Sequence, residues 1–125
     1  MACSILIADD EKDFADTLAE RLELRGYAVR VAHDGESALR AAEEHAPDVV
    51  VLDLFMPGMR GDVVIHALHM RYPQLPVVLL TGHACVTDEG LSPCAEAWAC
   101  RTKPVALHDL IDLLEKAVAE GKVHE

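Results

Sequence analysis

The sequence lacks any long uncharged hydrophobic run. A helix that spans a bilayer needs about 18 or more consecutive apolar residues, and no segment of this 125-residue chain reaches that length. Its first residues, MACS, also lack the basic opening of a secretory signal peptide. We therefore expect a soluble, cytoplasmic protein without a membrane partner.

Basic residues are also scarce. The chain has 11 lysines and arginines against 22 aspartates and glutamates, which gives a net charge of -11. Nucleic-acid phosphates and anionic membrane surfaces would both repel such a chain. The composition therefore argues against direct nucleic-acid binding, and we expect most of the acidic excess to serve solubility.

The cysteines lack metal-binding or redox spacing. They stand at positions 3, 85, 94 and 100 and form no C-x-x-C pair, so neither a zinc knuckle nor a thioredoxin motif is indicated. We expect reduced, mostly buried thiols. His66 and His69 lie three apart in a helical stretch, and His83 lies two before Cys85, but no third metal ligand accompanies either pair in the sequence.

Short apolar runs alternate with helical patterns along the chain. Strands are predicted at 4–8, 27–32, 49–52, 77–80 and, weakly, 98–101, and helices at 14–25, 36–46, 62–72 and 107–118. A helix is also expected at 84–96, although Gly90 and Pro93 interrupt it. Five strand–helix units predict a parallel sheet with right-handed crossovers and helices on both faces. Without a repeat, low-complexity stretch or linker, residues 1–125 are expected to form one domain, with no tether to an effector domain.

Charged and polar residues follow the predicted strands. In an open parallel sheet, ligands bind outside the carboxyl ends of the strands. The second strand ends at Ala32-His33 and contributes no such group in this interpretation. The residues that follow the other four strands are Asp9 and Asp10, Asp53, Thr81, and Lys103 with Pro104.

This set of residue types suits phosphoryl transfer to a carboxylate. Three neighbouring carboxylates repel one another, so a hard divalent cation such as Mg²⁺ is the natural counter-charge. A carboxylate such as Asp53 can attack phosphorus and form an acyl phosphate. The phosphoryl oxygens then need neutralisation, which a cation, the Lys103 ammonium and the Thr81 hydroxyl could supply. Alone, Asp9 and Asp10 could merely cap the first helix.

Four motifs in this order resemble the receiver domain of two-component response regulators. ILIADDEKDF matches the acidic pair, VVVLDLFMPGMRG the phospho-acceptor stretch, VVLLTGH the switch threonine, and RTKP the lysine–proline pair. The resemblance covers essentially the whole chain. It implies a flavodoxin-like, doubly wound, five-stranded parallel sheet in the order 2-1-3-4-5, with five helices in a three-layer sandwich.

The resemblance also implies a metal site. Asp10 and Asp53 would bind Mg²⁺, or Mn²⁺ in its place, together with the backbone carbonyl of Phe55. Asp9 would act mostly through water on the metal. Glu11 extends this acidic patch, and we expect it to be solvated rather than a ligand.

The family further implies a signalling switch rather than an enzyme with a diffusible substrate. Asp53 would take its phosphoryl group from a sensor histidine kinase, a phosphotransfer protein or a small phosphodonor, and an output protein would respond. Thr81 and Lys103 would bind phosphoryl oxygens. The bond between Lys103 and Pro104 would be cis, an isomer open to X-Pro bonds.

Two positions are candidates for setting the lifetime of the phosphorylated state. Phe55 and His83 each lie two residues after a motif residue and, in the family, flank the path of the attacking water. A bulky Phe55 predicts slow dephosphorylation, whereas His83 could orient the water as a base. Alternatively, both residues only pack the loops.

The chain departs from the family pattern near its fifth strand. Cys100 occupies the position of the usual switch aromatic and is either an inert small hydrophobe or a redox-sensitive thiol. The nearest aromatic residue is Trp98, which a regular strand would place on the same face as Cys100. These departures put the usual output route in doubt.

Two other functions remain alternatives. One is a receiver-shaped scaffold that is never phosphorylated, against which the complete set of acids, threonine and lysine argues. The other is a phosphatase with an aspartate nucleophile, which would carry D-x-D-x-[TV] after the first strand. This chain has DDEKD there. A nucleotide-binding fold is weaker still, because no glycine-rich loop follows the first strand.

Overall fold

The computed structural model describes residues 3–82 and 96–123 and contains one five-stranded parallel sheet. The strand order is β2-β1-β3-β4-β5, which confirms the predicted topology. The strands are β1 (Ser4–Ala8), β2 (Ala28–Ala32), β3 (Val49–Leu52), β4 (Val77–Thr81) and β5 (Ala99–Thr102). The helices are α1 (Lys12–Glu23), α2 (Gly35–Glu44), α3 (Gly61–Arg71) and α4 (Leu107–Val123).

The described residues contain four helices, one fewer than the five predicted. The additional helix was expected at 84–96, of which 84–95 lie outside the described residues. The predicted strands lie within one residue of the observed ones, and α1 to α3 begin and end one or two residues early, which is the usual uncertainty of element ends. The last helix begins where predicted but runs on to Val123 instead of ending at 118.

Side-chain alternation along the strands divides the core into two layers. In β3, Val50 and Leu52 join the layer against α2 and α3, whereas Val49 and Val51 join the layer against α1 and α4. All four residues are at most 2% exposed. A central parallel strand that is covered on both sides reads as a continuous apolar run for this reason. The packing fixes the carboxyl end of β3, where Asp53 follows.

Each helix covers the sheet with a stripe of apolar residues at helical spacing. Helix α2 is capped at its start by Asp34, the residue before Gly35, whose side chain accepts a hydrogen bond from the Ser37 backbone N–H at 2.8 Å. Such an N-cap satisfies one of the donors that a helix start leaves unpaired. The buried residues of the stripes include Ala15, Leu18 and Leu22 of α1, Ala38 and Ala42 of α2, Val64, Ile65 and Leu68 of α3, and Leu110, Leu114 and Ala117 of α4.

The edge strand β5 departs from two sequence predictions. Trp98 packs in the layer of α1 and α4, whereas Cys100 packs in the opposite layer. The shared face predicted for them is therefore wrong, because β5 begins at Ala99 and regular alternation does not extend back to Trp98.

Cys100 is also disulfide-bonded, while Cys3 keeps its thiol. The expectation of reduced cysteines, and of Cys100 as an inert hydrophobe, is corrected here. Sequence spacing does not reveal which sulfurs meet across the fold. No helix in the described part of the chain combines the length and apolarity needed to cross a bilayer.

Candidate functional site

Three aspartates meet at the carboxyl edge of the sheet. The backbone hydrogen bonds of the sheet continue one residue past the strand ends. The Asp9 N–H donates to the Ala32 carbonyl oxygen at 3.0 Å, and the Asp53 N–H donates to the Ala8 carbonyl oxygen at 2.9 Å. One carboxylate oxygen from each of Asp9, Asp10 and Asp53 lies within 4.8 Å of the others. Asp9 is 2% exposed and Asp53 6% exposed, while Asp10 faces solvent. The structure thus brings together the three acids singled out in the sequence.

Burial and charge repulsion both act on the acceptor candidate. Desolvation above all, then the neighbouring Asp9 and, less strongly, Asp10 raise the pKa of Asp53, which comes to about 6. The Lys103 ammonium and the Phe55 N–H, 3.4 Å from Asp53 Oδ1, oppose this shift. The site therefore holds more negative charge than its surroundings neutralise, which favours a bound cation.

Lys103 reaches the acids from the far strand of the sheet. Its Nζ donates to Asp9 Oδ2 and to Glu11 Oε1, both at 2.7 Å, and lies 4.3 Å from the centre of the Phe14 ring. Desolvation alone would lower the pKa of Lys103, but the bonds to Asp9 and Glu11 outweigh it and raise the pKa. Lys103 is thus a charged, held ammonium at the border of the acidic cluster.

Glu11 departs from the prediction that it is simply solvated. Its side chain is 64% exposed, yet it binds Lys103 and its backbone N–H donates to Asp9 Oδ1 at 2.9 Å. The pairing follows from the chain reversal after β1, which places Glu11 beside the residue that follows β5. Glu11 therefore forms a salt bridge with Lys103, although most of its side chain is exposed to solvent.

A close backbone approach closes the loop after β3. Gly61 N–H donates to the Leu54 carbonyl at 2.7 Å, and a Cβ on Gly61 would lie 2.7 Å from Leu54 Cα and 2.8 Å from the Asp53 carbonyl oxygen. Only glycine fits there without a shift of backbone.

The side chains of the loop alternate in burial. Leu54 and Met56 are buried, whereas Phe55 is 44% exposed with the Arg60 guanidinium 5.5 Å from its ring centre.

The structure describes only part of the other residues predicted for the site, which are Thr81, His83 and the Lys103–Pro104 bond. Thr81 ends β4, two residues past the Leu79 that pairs with Leu52, but the position of its side chain is outside what the structure describes. His83 is also outside the described residues. The peptide bond between Lys103 and Pro104 is cis.

Sequence reasoning missed several residues of this site. His33 Nδ1 lies 3.1 Å from the Asp9 carbonyl oxygen, and because a carbonyl only accepts, this nitrogen carries the proton and donates. His33 was passed over because its strand end lacked an acid or hydroxyl. Phe14, whose ring lies next to the Lys103 ammonium, was predicted only as an apolar residue of the first helix. The glycine in MRGD was the one available hint of the close approach at Gly61.

The fold and the acidic cleft define a doubly wound α/β domain whose charged residues meet at the carboxyl edge of a parallel sheet. Residues 5–115 match the family described as response regulator receiver domain. The chain therefore belongs to the receiver-domain family of two-component response regulators.

Individual relatives agree with this assignment. The chain is 37% identical over 110 residues to the probable transcriptional regulatory protein TcrX of Mycobacterium tuberculosis, covering 86% of this chain and 46% of that protein. It is 31% identical over 125 residues to the response regulator MprA of Mycobacterium ulcerans, covering all of this chain and 54% of that one. The chain thus spans about half the length of these curated relatives.

A solved structure extends the likeness to three dimensions. The crystal structure of a CheY-like response regulator receiver domain protein from Methanospirillum hungatei matches with a TM-score of 0.91 at 26% identity, over 100% of both chains. The receiver-domain assignment and the strand order are therefore supported independently.

Proposed function

We propose that Asp53 is the phospho-acceptor of this receiver domain, and that Asp9, Asp10 and Asp53 hold the Mg²⁺ on which phosphorylation depends. The observation that carries the proposal is the meeting of three carboxylates within 4.8 Å around a buried Asp53. Mn²⁺ would fit the same oxygen ligands. The backbone carbonyl of Phe55 and waters would complete the coordination, since Mg²⁺ keeps several waters.

The acceptor's pKa suits a nucleophile. With a pKa of about 6, Asp53 is mostly ionised at neutral pH and can attack phosphorus. In that step one Asp53 oxygen forms a bond to phosphorus while the donor's bond to phosphorus breaks, and its electron pair leaves with the donor. Bound Mg²⁺ would supply positive charge for the phosphoryl oxygens.

Lys103 is proposed to change partners when the phosphoryl group arrives. Before phosphorylation it is shared between Asp9 and the largely exposed Glu11. A salt bridge to an exposed carboxylate is weak, so we propose that Lys103 exchanges Glu11 for a phosphoryl oxygen. Thr81, on the neighbouring strand, is proposed to bind another.

Phe55 and His83 remain the proposed positions for lifetime control. The half-exposed Phe55 ring, which contacts the Arg60 guanidinium, supports a shielding role at the loop that follows the acceptor. Phe55→Ala should then shorten the lifetime of phospho-Asp53. A lifetime of seconds in the native chain would contradict the slow hydrolysis predicted here.

The proposed partners are a sensor histidine kinase or phosphotransfer protein upstream and an output protein or domain downstream. The chain acts as a signalling domain whose own chemistry is limited to gaining and losing the phosphoryl group. The disulfide at Cys100 stands where the family usually carries an aromatic residue, so we propose an output route that does not depend on a rotating ring.

Intact-mass measurement after incubation with a small acyl phosphodonor tests the proposal. One phosphoryl group should appear on the native chain with Mg²⁺ and should be absent without it or in Asp53→Asn. Asp10→Asn should require far more Mg²⁺. The control is Asp13→Asn, which removes an exposed acid of the first turn of α1.

The outcomes separate the proposal from its alternatives. Equal labelling of native chain and Asp53→Asn would refute the acceptor assignment. Absence of labelling by both a small donor and a kinase would indicate the unphosphorylated scaffold. Continuous release of inorganic phosphate at enzymatic rates would indicate the phosphatase.

A further inference from the structure

A histidine outside the proposed ligand set contacts the backbone of the acidic pair. His33 follows β2, and its Nδ1 donates to the Asp9 carbonyl oxygen at 3.1 Å. That carbonyl belongs to the peptide unit that joins Asp9 to Asp10. Because a peptide unit is planar, a hydrogen bond to its oxygen fixes the orientation of the whole unit. The bond therefore restricts the direction in which the Asp10 side chain leaves the backbone.

The two acids of the pair are held in different ways. The Asp9 side chain is buried and accepts from the Glu11 N–H at 2.9 Å and from Lys103 Nζ at 2.7 Å. The Asp10 side chain is exposed to solvent, so core packing does not fix it and its position depends on the backbone that carries it. The bond from His33 acts on the acid whose position the core does not set.

The turn that carries His33 is itself held on several sides. Ala32 before it belongs to β2, and Asp34 after it is the N-cap of α2. Gly35 lies so close to the loop after β3 that an added Cβ would stand 2.7 Å from Met59 Cβ. Strand, helix and neighbouring loop therefore all restrain the backbone that presents the imidazole.

The same turn contacts both segments that carry the proposed metal ligands. His33 bonds the peptide before Asp10, and Gly35 packs against Met59 of the loop that follows Asp53. A cleft of about 1060 Å³ is lined by residues of all three segments, among them Asp10, His33 and Met59. This cleft leaves space for the waters that Mg²⁺ keeps when carboxylates bind it.

We propose that His33 is a positioning residue of the magnesium site, whose hydrogen bond holds the peptide before Asp10 so that the Asp10 carboxylate is directed at the ion. This inference rests on the proposed function, in which Asp10 is a ligand of Mg²⁺. His33 acts through Asp10 and needs no contact with the ion or with the phosphoryl group. Loss of the bond should therefore weaken Mg²⁺ binding and leave the rate of phosphorylation near native once Mg²⁺ saturates the site.

Two amide substitutions separate the hydrogen bond from the bulk of the ring. The asparagine amide nitrogen stands close to the position of the ring Nδ1 and can donate in its place, whereas the glutamine amide nitrogen stands close to the position of Nε2. Calorimetric titration of the full chain with Mg²⁺ should show about 10-fold weaker binding in His33→Gln and near-native binding in His33→Asn. The control, His108→Gln, removes an exposed histidine of α4 and should leave binding unchanged.

Labelling by a small acyl phosphodonor gives a second readout. His33→Gln should need about 10-fold more Mg²⁺ for half-maximal labelling and should reach nearly the native rate at saturating Mg²⁺. In an Asp10→Asn background the same substitution should add less than about 2-fold, because the carboxylate that His33 positions is absent.

The ring nitrogen resonances of the native chain provide a test that does not depend on the folding of any variant. The neutral His33 ring should carry its hydrogen on Nδ1, and a hydrogen on Nε2 instead would overturn the proposal. Equal weakening in His33→Asn and His33→Gln would overturn it, and so would a His33→Gln chain that is less stable in urea but binds Mg²⁺ as the native chain does. A native chain that neither binds Mg²⁺ nor becomes labelled would refute the proposed function, and this inference with it.

Discussion

The two strands that deliver opposite charges to the cleft differ in their surroundings. β3 lies between β1 and β4, and its four residues are buried on both faces before Asp53 follows. β5 lies at the edge, pairs with β4 alone and has only partly buried or exposed residues before Lys103. Asp53, the proposed acceptor, is therefore fixed by the core, whereas Lys103, the charge that would answer it, is held by a strand with few constraints. The centre of the sheet thus places the carboxylate of Asp53 rigidly, and the edge of the sheet places the ammonium of Lys103 with more freedom.

The largest expected effect is a difference in the cost of substitutions in the two strands, measured as the free energy of unfolding. Leu52→Ala in β3 should lower the free energy of unfolding by about 2–5 kcal/mol, because it leaves a cavity in a layer that is closed on both sides. Thr102→Ala in β5 is the matched change at an exposed strand position and should stay within about 0.5 kcal/mol. Urea unfolding of both variants measures the difference. Equal losses would remove the distinction between a rigid centre and a tolerant edge.

The loop after β3 should share the rigidity of the strand. Gly61→Ala places a methyl group against the Leu54 backbone and the Asp53 carbonyl, so we expect a loss of about 1–3 kcal/mol and slower phosphorylation. Gly82→Ala is the control, because a Cβ there meets no atom within 4 Å. Thermal unfolding and labelling by a small phosphodonor report the two effects. If Gly61→Ala were as stable as Gly82→Ala, the backbone of the loop after β3 would be able to shift and admit the added methyl group at little cost.

The buried carboxyl group of Asp53 should make the protein less stable as the pH rises. The folded-state pKa of Asp53, about 6, is above its usual 3.8, so the native state binds the proton more tightly than the unfolded state. Stability from this group is full below pH 3.8 and is lost as the pH rises through 6. Asp53→Asn should therefore be more stable at pH 7 without divalent metal, by on the order of 2 kcal/mol.

Denaturant melts of native and Asp53→Asn chains between pH 4 and pH 7.5, with a chelator present, measure this difference. The gap between the two should close towards acid pH, where the native carboxyl group is protonated. A gap that is independent of pH would show that the substitution acts through packing. Mg²⁺ should reverse the order by binding the native cleft more tightly.

The smallest expected effect concerns the hold on the edge lysine. The Phe14 ring under the Lys103 ammonium should contribute about 0.5–1 kcal/mol. A double-mutant cycle with Phe14→Leu and Lys103→Met isolates that coupling from the lost packing of the ring. Coupling near zero would mean that Asp9 and Glu11 alone position the lysine.

The sequence was most informative where the fold is most constrained. The run VVVL is apolar on both faces and ends at a carboxylate, which is enough to predict a central strand with Asp53 at its carboxyl end. The strand order followed from the resemblance to receiver domains. The core layers follow from the alternation of residues such as Val50 and Val51, because a side-chain period of two has only two faces to choose between.

The sequence was least informative about pairings between distant residues. Nothing in EKDF or RTKP states that Glu11 would bind Lys103, since the choice depends on how the chain reverses after β1. The disulfide at Cys100 and the position of Trp98 were missed for a related reason. Both concern the edge strand, where a regular pattern is short and local irregularity decides which face a side chain meets.

The salt bridge between Lys103 and Asp9 joins the edge strand to β1 across two intervening strands. The cleft therefore keeps the Lys103 ammonium only while β5 stays in place. A protein that bound the edge and displaced Lys103 would increase the negative charge felt by Mg²⁺ and so its affinity. By thermodynamic reciprocity Mg²⁺ would strengthen the binding of that protein by the same factor. If both bind as proposed, the partner at the edge strand and the metal ion in the cleft would share one equilibrium, with the ion pair between Lys103 and Asp9 as the link between them.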